Sequence, residues 1–297
     1  MSKNNPFILV ILASVLSWYG CGDDNSKQDK MAEPTKTNGN ELRVGVMPTM
    51  DCLPIYLLVD SAMYDTTMVK ITLKEFSAQM DCDTALIGGS VHGSVTDLLR
   101  VVNMRKKGVP LKSVTSTDLH WQLIASKKAR LNELSQFGDK MVAMTRFSAT
   151  DYLTDRAIKK GKPKNPVYKV QINDVGIRHH MMLNNELDAA WMPEPYATSV
   201  RMQGNNVVSD TRKDSIELGV VAFRVVALAD DVKYKQVEEF LKAYDKAVDE
   251  INKKGIKYYS NLIKKYMGVG DDVVAKLPNM KYNNVREPNE QSYGKRL

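Results

Sequence analysis

The sequence predicts an α/β protein of two lobes, each built on a mostly parallel β-sheet that is flanked by helices. Its 297 residues are many for a single compact core and suit two domains of about 100–150 residues each. Short apolar strands alternate with helical segments along the chain, which is the order of βαβ units. Two such cycles follow one another, and the second begins near residue 131.

The first cycle opens with a β-rich run at residues 42–47. Residues 53–63 carry apolar side chains at helical spacing, and residues 69–76 alternate apolar and polar side chains with the period of a half-buried strand. The remaining elements predicted in this cycle are strands at residues 92–95, 111–115 and 120–125 and helices at residues 84–87 and 98–104. Thr96 and Asp97 precede the last of these helices and are candidate N-caps.

The second cycle repeats this order over residues 130–215. Its predicted strands are residues 141–145, 167–172, 189–192 and 206–209. Its predicted helices start at Arg146, Asp174 and Pro193. A β-rich run at residues 217–228 then returns the chain to the first lobe. The clearest helix follows, with apolar residues at i, i+3, i+4 and i+7 from Val237, and it ends at Gly255. The tail from Asn279 is polar and is predicted to be irregular.

The first 40 residues differ from the rest in composition. Lys3 followed by an apolar run at residues 7–16 is typical of an export signal, because a membrane-spanning helix needs about 20 residues. The run ends in a segment similar to a bacterial lipobox, so we predict a signal peptide over residues 1–21 with lipidation at Cys21. A signal peptide cut elsewhere and an uncut anchor are the alternatives. Residues 22–40 carry almost no large apolar side chains and predict a flexible tether.

Charge and motif content narrow the function classes. The net charge is +7, but the basic residues form short scattered runs instead of a binding motif, so no nucleic-acid partner is predicted. Four scattered histidines without HExxH or CxxC spacing predict no metal site. The adjacent pair His179 and His180 is expected to lie on a solvated helix face. Neither a GxSxG motif nor a phosphate loop of the Walker type is present, and we predict no cofactor.

Two cysteines remain after Cys21. Cys52 and Cys82 each follow a Met-Asp pair. In an oxidising envelope they could form a disulfide, and two buried free thiols are the equally open alternative. A thiophilic metal bound by soft Met and Cys side chains is a third hypothesis.

Three segments together resemble a known family. They are LRVGV at residues 42–46 followed by PIY at 54–56, DTALIGGSVHGSVTD at 83–97, and LDAAWMPEPY at 187–196. Their order and spacing are similar to the periplasmic binding proteins of ABC importers, in the branch for alkylsulfonates, nitrate, taurine and thiamine pyrimidine precursors. The resemblance covers most of residues 41–255. His92 stands where this family usually has an acidic residue.

The resemblance implies a periplasmic-binding-protein fold of type II, with two crossing segments and a ligand cleft between the lobes. The crossings are expected near residues 123–126 and 219–223. We therefore expect the first lobe to comprise residues 41–124 and 222–297, and the second lobe residues 125–221.

The resemblance also implies a function. We expect a binding protein and not an enzyme. It would capture a small polar or anionic organic solute and deliver it to an ABC transporter permease with its ATPase. It would be lipid-anchored to a membrane of the cell envelope, facing the periplasm or the surface. One alternative is an enzyme on the same fold, such as a menaquinone-pathway or pyrimidine-synthesis relative. A ligand sensor or surface scaffold is the other.

Ligands of open α/β sheets bind outside the carboxyl ends of the strands. That rule selects as ligand-binding residues Met47, Pro48, Asp51, Ser94, Thr96, Asp97, Thr117, Arg146, Ser148, Thr150, Trp191 and Glu194. Arg146 and the helix start behind it favour an anionic group, whereas Asp51 and Glu194 would suit a cationic or amine ligand. Asp97, Ser148 and Thr150 have a competing role as helix caps, and Trp191 as a core residue.

Overall fold

The structure is a computed structural model that describes residues 39–290. Over these residues the strands are β1 (Glu41–Val46), β2 (Lys70–Glu75), β3 (Gly93–Asp97), β4 (Leu111–Ser116), β5 (Trp121–Ala125), β6 (Met141–Met144), β7 (Tyr168–Gln171), β8 (Ala189–Pro193), β9 (Asn206–Asp210) and β10 (Gly219–Arg224). The helices are α1 (Leu53–Asp60), α2 (Gln79–Ile87), α3 (Leu98–Lys106), α4 (Ala149–Gly161), α5 (Val175–Leu183), α6 (Tyr196–Met202), α7 (Val225–Leu228), α8 (Asp231–Lys254), α9 (Ser260–Met267) and α10 (Asp271–Lys276).

The strands of the described residues form two five-stranded sheets. The first has the order β2-β1-β3-β10-β4 and the second the order β7-β6-β8-β5-β9. In the first sheet β10 runs antiparallel to both of its neighbours, and in the second sheet β5 does the same. The other four strands of each sheet share one direction. The predicted fold class, two α/β lobes with mostly parallel sheets, is therefore confirmed.

The chain crosses between the two sheets at earlier residues than the sequence predicted. All of β5 pairs with β8 and β9 of the second sheet, although residues 121–124 were assigned to the first lobe. All of β10 pairs with β3 and β4 of the first sheet, although residues 219–221 were assigned to the second lobe. The crossing segments are therefore residues 117–120 and 211–218. An apolar run shows that a strand is buried but does not show which sheet it joins.

Helix α8 is the main packing element on the first sheet. It starts at Asp230, whose side chain accepts from the Lys233 N–H at 2.8 Å, and it ends at Gly255 with a positive φ of 79°. Its apolar stripe is buried, and the Phe240 ring meets Phe223 of β10 edge-on at 6.0 Å between centroids. Full burial of such a side chain stabilises the fold by about 1.5–3 kcal/mol. The predicted helix and its end are confirmed.

The C-terminal segment is irregular, as predicted, but it packs against the first lobe. Tyr282 is buried, and its hydroxyl donates to the Met50 carbonyl at 2.7 Å. The Arg286 carbonyl accepts from the Ser116 N–H at 3.0 Å, so this segment borders β4. A few apolar side chains in a polar sequence are enough to hold the segment in place.

Several predictions concern the N-terminal region. The signal peptide at residues 1–21, Cys21 and residues 22–38 of the tether lie outside the described residues. The last tether residues, 39 and 40, form a turn in which the Gly39 carbonyl accepts from Lys233 Nζ at 3.1 Å. From residue 39 to 290, no helix is both long and apolar enough to cross a bilayer.

Cys52 and Cys82 are both buried free thiols, so the disulfide alternative is not formed. Cys52 ends a short 3₁₀ turn before α1, and Cys82 lies within α2. The Cys82 Sγ is 2.8 Å from the Ser94 Oγ. Burial raises the pKa of Cys82 to about 12, so this thiol stays protonated and unreactive at neutral pH.

Candidate functional site

A cavity of about 60 Å³ lies between the two sheets, at the carboxyl ends of their parallel strands. The first lobe and the first crossing contribute Met47, Thr49, Gln79, Val95, Asp97, Arg100 and Leu119; the second lobe contributes Trp121, Thr145, Ser148, Thr150, Asn173, Val175, Arg178 and Pro193. On the same measure one water needs about 10–15 Å³, so the cavity has room for about four to six waters or a small solute.

Direct hydrogen bonds join the lobes on either side of the cavity. The Met50 N–H of the first lobe donates to the Glu194 carbonyl of the second at 2.9 Å. The Ser77 Oγ donates to Asp174 Oδ2 at 2.5 Å, and the Val175 N–H donates to the Ser77 carbonyl at 3.1 Å. The structure therefore shows the lobes closed over the cavity.

Arg178 projects from the buried face of α5 into the cavity. It shares that face with Val175 and Met182, at i, i+3 and i+7. Its Nη1 donates to the Trp191 carbonyl at 2.9 Å and its Nη2 to Thr145 Oγ1 at 3.3 Å, while its Nε has no hydrogen-bond partner. The side chain is 5% exposed, and within residues 39–290 no carboxylate lies at ion-pair distance from it.

Arg178 remains charged at neutral pH despite its burial. Burial, together with the like charge of Arg100, lowers the pKa of Arg178 to about 10. A buried cation without a carboxylate partner is costly. Asp174 acts on this charge only from beyond ion-pair distance. The geometry therefore leaves a positive charge without a direct carboxylate partner facing the cavity.

Arg100 faces the same cavity from α3 of the first lobe, but it has acidic partners. It forms a short ion pair with Asp83 of α2, and its Nε lies 3.7 Å from Asp97 Oδ2. Its Nε and Nη2 make no hydrogen bond. Arg100 can therefore still donate to a ligand, although its charge is already balanced.

Asp97 ends β3 and caps α3, as the sequence predicted. Its Oδ1 accepts from the Arg100 N–H at 3.0 Å, and the nearby Ala149 N–H of the second lobe also favours its ionised form. Burial raises the pKa of Asp97 to about 6, against the opposing effect of the Arg100 charge and of the two backbone N–H groups.

The start of α4 forms the second-lobe wall opposite Asp97. Ser148 caps this helix, since its Oγ accepts from the Thr150 N–H at 3.1 Å and donates to the Thr145 carbonyl at 2.6 Å. Thr150 Oγ1 in turn accepts from the Thr145 N–H at 2.9 Å. Both hydroxyls are therefore caps and cavity-lining groups at once. The partial positive charge of the helix N-terminus adds to that of Arg178.

The structure brings four of the predicted site residues to the cavity: Met47, Asp97, Ser148 and Thr150. The other eight lie elsewhere: Pro48, Asp51, Ser94, Thr96, Thr117, Arg146, Trp191 and Glu194. In β3 the division follows the strand period. Val95 and Asp97 line the cavity, whereas Ser94 and Thr96, which alternate with them, point to the other face.

The remaining displaced residues have partners of their own. Trp191 is 1% exposed in the core and donates from Nε1 to Thr154 Oγ1 at 3.0 Å. Glu194 forms an ion pair with Arg201 at 2.9 Å. The Arg146 side chain is exposed and lines an outer groove between the lobes instead of the cavity.

Asp51 is likewise buried behind the cavity. It accepts from Thr49 Oγ1 at 2.6 Å and from Thr117 Oγ1 at 3.1 Å. Burial raises the pKa of Asp51 to about 6, and these two hydroxyls oppose the rise. Asp51 and Thr117 therefore support the cavity wall, in which Thr49 is the lining residue.

Arg100 and Arg178 line the cavity but are not among the site residues that the strand ends predict. Each carried a signal that a search of strand ends does not use. Arg178 occupies an apolar-face position of a short amphipathic helix, and Arg100 follows the cap residue Asp97 by three positions. An arginine on the buried face of a helix requires a partner, and a ligand is one candidate.

The histidines lie away from the cavity. His92, the departure from the family pattern, precedes β3 at its amino end, where its Nδ1 accepts from the Arg43 N–H at 2.9 Å. His179 Nε2 lies 2.8 Å from Ser199 Oγ, so this histidine is half-buried, whereas His180 is exposed as expected. In the described part of the chain, no three His, Cys, Asp or Glu side chains are grouped to hold a metal ion.

Comparison with known proteins identifies the family of the chain. Residues 50–254 match the NMT1/THI5-like family, and the chain belongs to that family. No curated protein matches the chain in sequence. Solved structures of two-lobed binding proteins match the fold at low sequence identity.

Three of these structures illustrate the likeness. The ligand-binding component of an ABC-type import system from Staphylococcus aureus, with zinc bound, is 17% identical over 85% of this chain and 89% of that chain, with a TM-score of 0.71. The alkanesulfonate-binding protein SsuA from Xanthomonas axonopodis pv. citri, bound to MOPS, is 16% identical over 86% and 89%, with a TM-score of 0.70. The periplasmic nitrate-binding protein NrtA from Synechocystis PCC 6803 is 13% identical over 79% and 68%, with a TM-score of 0.69.

Proposed function

We propose that this chain is a solute-binding protein that holds a small anionic organic solute between its lobes and delivers it to an ABC transporter permease. The observation that carries the proposal is Arg178, a buried cation that faces the cavity without a carboxylate partner among residues 39–290. Removing one partner of a buried ion pair costs about 3–5 kcal/mol. A bound anion would supply the partner that Arg178 lacks.

The composition of the cavity wall supports capture by lobe closure. Asp97 and Arg100 approach from the first lobe, and Ser148 and Arg178 from the second. A ligand that touches both walls stabilises the closed state over the open one by its differential contacts. Binding and closure are therefore one equilibrium, which a permease can sense.

The lining favours binding over catalysis on the same fold. Among the described residues that line the cavity, none is a cysteine, histidine or lysine. The Ser148 hydroxyl already donates to the Thr145 carbonyl and caps α4. The fold neighbours named for alkanesulfonate, nitrate and ABC-type import support the same role.

We further propose that the protein is anchored in the cell envelope through an acylated Cys21, with the permease and its ATPase as partners. The lipobox-like segment that ends at Cys21 supports this part of the proposal. The mass of the mature protein from its host would test it. Acylation predicts a mass above that of residues 22–297 by a lipid-modified cysteine, and Cys21→Ser would abolish the addition.

The binding function is tested by identifying the solute and then replacing Arg178, the residue proposed to hold it. Mass spectrometry of small molecules released from protein purified from its host identifies the solute, and calorimetry measures its affinity. We expect Arg178→Met to weaken binding by roughly 100-fold or more, because truncating one member of a buried charge pair costs about 2–5 kcal/mol.

The matched control is Arg156→Met, the same change at an exposed arginine of α4. It is expected to leave the affinity unchanged. An affinity of Arg178→Met within threefold of the wild type would contradict the proposed function. A host-derived solute that lacks any anionic group would contradict it as well.

A further inference from the structure

Asp97 is the one carboxylate among the described residues that line the cavity. It is 5% exposed and lies on the wall opposite Arg178. An anion held by Arg178 and Arg100 in so small a space therefore lies beside a second negative charge. Charge attraction alone does not explain why a carboxylate is present there.

The hydrogen bonds of Asp97 leave it able to accept more. An ionised carboxylate offers about four acceptor positions. The Arg100 N–H uses one of them, the Ala149 N–H lies near the carboxylate, and Arg100 Nε, at 3.7 Å, makes no hydrogen bond. The remaining capacity is available to a hydrogen-bond donor inside the cavity.

Resting on the proposed function, we infer that Asp97 determines specificity by restricting the site to anions that carry their own hydrogen-bond donor. The donor is either the acid hydrogen of a hydrogen oxyanion or the ammonium group of a zwitterion. Such a ligand places its negative group on Arg178 and donates its hydrogen to Asp97. An anion without a donor meets the Asp97 carboxylate, a like charge to which it cannot donate a hydrogen bond, at the same position.

The size of the effect follows from how buried polar groups discriminate. A site built to bond a ligand OH or NH rejects the analogue that lacks it by up to about 10⁴–10⁵, because the protein group is then left unpaired. Asp97 keeps its bond to the Arg100 N–H in either case. We therefore expect a smaller preference, of at least about tenfold.

A simple capping role for Asp97 is the competing explanation, and it can be separated by substitution. Asn and Ser cap helices about as well as Asp does. Asp97→Asn and Asp97→Ser therefore keep the cap of α3 while removing the charge. A role in capping alone predicts no change in ligand preference in either variant.

The experiment compares matched probes by calorimetry at pH 7.5 and constant ionic strength. Inorganic phosphate and sulfate form one pair, since both are tetrahedral oxyanions and only phosphate carries a hydrogen at this pH. β-Alanine and propionate form the other, since only β-alanine carries an ammonium group. The first pair tests the hydrogen-oxyanion source of the donor and the second tests the zwitterion source.

We expect the wild type to prefer the donor-bearing member of at least one pair by about tenfold or more. We expect Asp97→Asn and Asp97→Ser to bring that ratio within threefold, mainly through tighter binding of the member without a donor. Equal affinities within both pairs for the wild type, or a preference that survives in both folded variants, would overturn the inference. No binding of any of the four probes would also overturn the inference. Failure of the proposed function shows separately, as an affinity for the host-derived solute that Arg178→Met leaves within threefold of the wild type.

Discussion

The two lobes bring one buried arginine each to the cavity, and these arginines differ in their partners. Arg100 of the first lobe lies between Asp83 and Asp97, whereas Arg178 of the second lobe donates only to the Trp191 carbonyl and the Thr145 hydroxyl. Both side chains are about equally buried. The difference therefore lies in compensation of charge and not in solvent access.

That difference assigns separate tasks to the two walls. The cation of the first-lobe wall is compensated before any ligand arrives, because Arg100 lies between two carboxylates and holds α2, β3 and α3 together through its ion pairs. The second-lobe wall carries a net positive charge, which an anion would balance. Replacing arginine by methionine should therefore lower the stability at Arg100. At Arg178 the same change should lower the affinity without lowering the stability.

The largest expected effect is the loss of stability in Arg100→Met. The change leaves Asp83 and Asp97 buried without their cation, and breaking a buried ion pair in this way costs about 3–5 kcal/mol. Equilibrium unfolding in urea measures the change in the free energy of unfolding.

The control is the double variant Arg100→Met with Asp83→Asn. It removes one of the stranded charges, so we expect it to recover part of the lost stability, and a double-mutant cycle gives the coupling. A loss below about 1 kcal/mol in the single variant would show that the first-lobe wall is not held by this pair.

The second prediction sharpens the comparison by changing the charge of the first-lobe wall with pH. Burial raises the pKa of Asp97 to about 6, so this carboxylate is ionised at pH 7.5 and largely protonated at pH 5.5. When protonated, Asp97 no longer repels an anion and offers a hydrogen-bond donor. Sulfate, which stays ionised over this range, is therefore expected to bind about tenfold more tightly at pH 5.5 than at pH 7.5.

The other charged groups that face Asp97 set the interpretation of this measurement. Arg100 and Asp83 of the first lobe act on Asp97 directly, and Arg178 of the second lobe lines the same cavity. Arg178, with a pKa of about 10, stays protonated throughout, and burial also raises the pKa of Asp83. Asp97→Asn isolates the contribution of Asp97, because sulfate affinity should then be nearly constant with pH. A pH dependence of the same size in that variant would assign the effect to Asp83 or to Asp51 behind the wall, since burial raises the pKa of both.

The fold could be predicted from the sequence because its signals are local. The stripe from Val237 to Ile251, the cap at Asp230 and the end at Gly255 define α8 from neighbouring residues alone. The lobe to which β5 and β10 belong was not predictable in this way. Sheet membership depends on pairing partners far along the chain, such as Leu123 with Trp191.

The site was predicted in part, for a similar reason. A rule based on strand ends found Asp97 and Ser148 because both directly follow or end a strand. The same rule selected Trp191 and Glu194, whose side chains find partners within the second lobe. Arg178 escaped because it enters the cavity from a helix face, and its lack of a carboxylate is visible only in three dimensions.

The third prediction reverses the sign of the first. Arg178→Met replaces a buried unpaired cation by an apolar side chain of similar length, so we expect the ligand-free protein to gain up to about 1 kcal/mol in the free energy of unfolding. Urea unfolding of ligand-free protein measures it, with Arg156→Met as the control. A loss of more than about 2 kcal/mol would show that Arg178 is mainly a structural residue bonded to Trp191 and Thr145.

The smallest expected effect concerns Arg146, where the strand-end rule and the structure differ. The rule predicts an anion contact, whereas the structure places the side chain, exposed, in the outer groove. A solvent-screened charge outside the cavity contributes little to binding, so Arg146→Ala should change solute affinity by less than about twofold. Calorimetry beside Arg178→Met provides the comparison. A tenfold loss in Arg146→Ala would mean that the second-lobe wall reorganises on binding and that its positive charge is shared between both arginines.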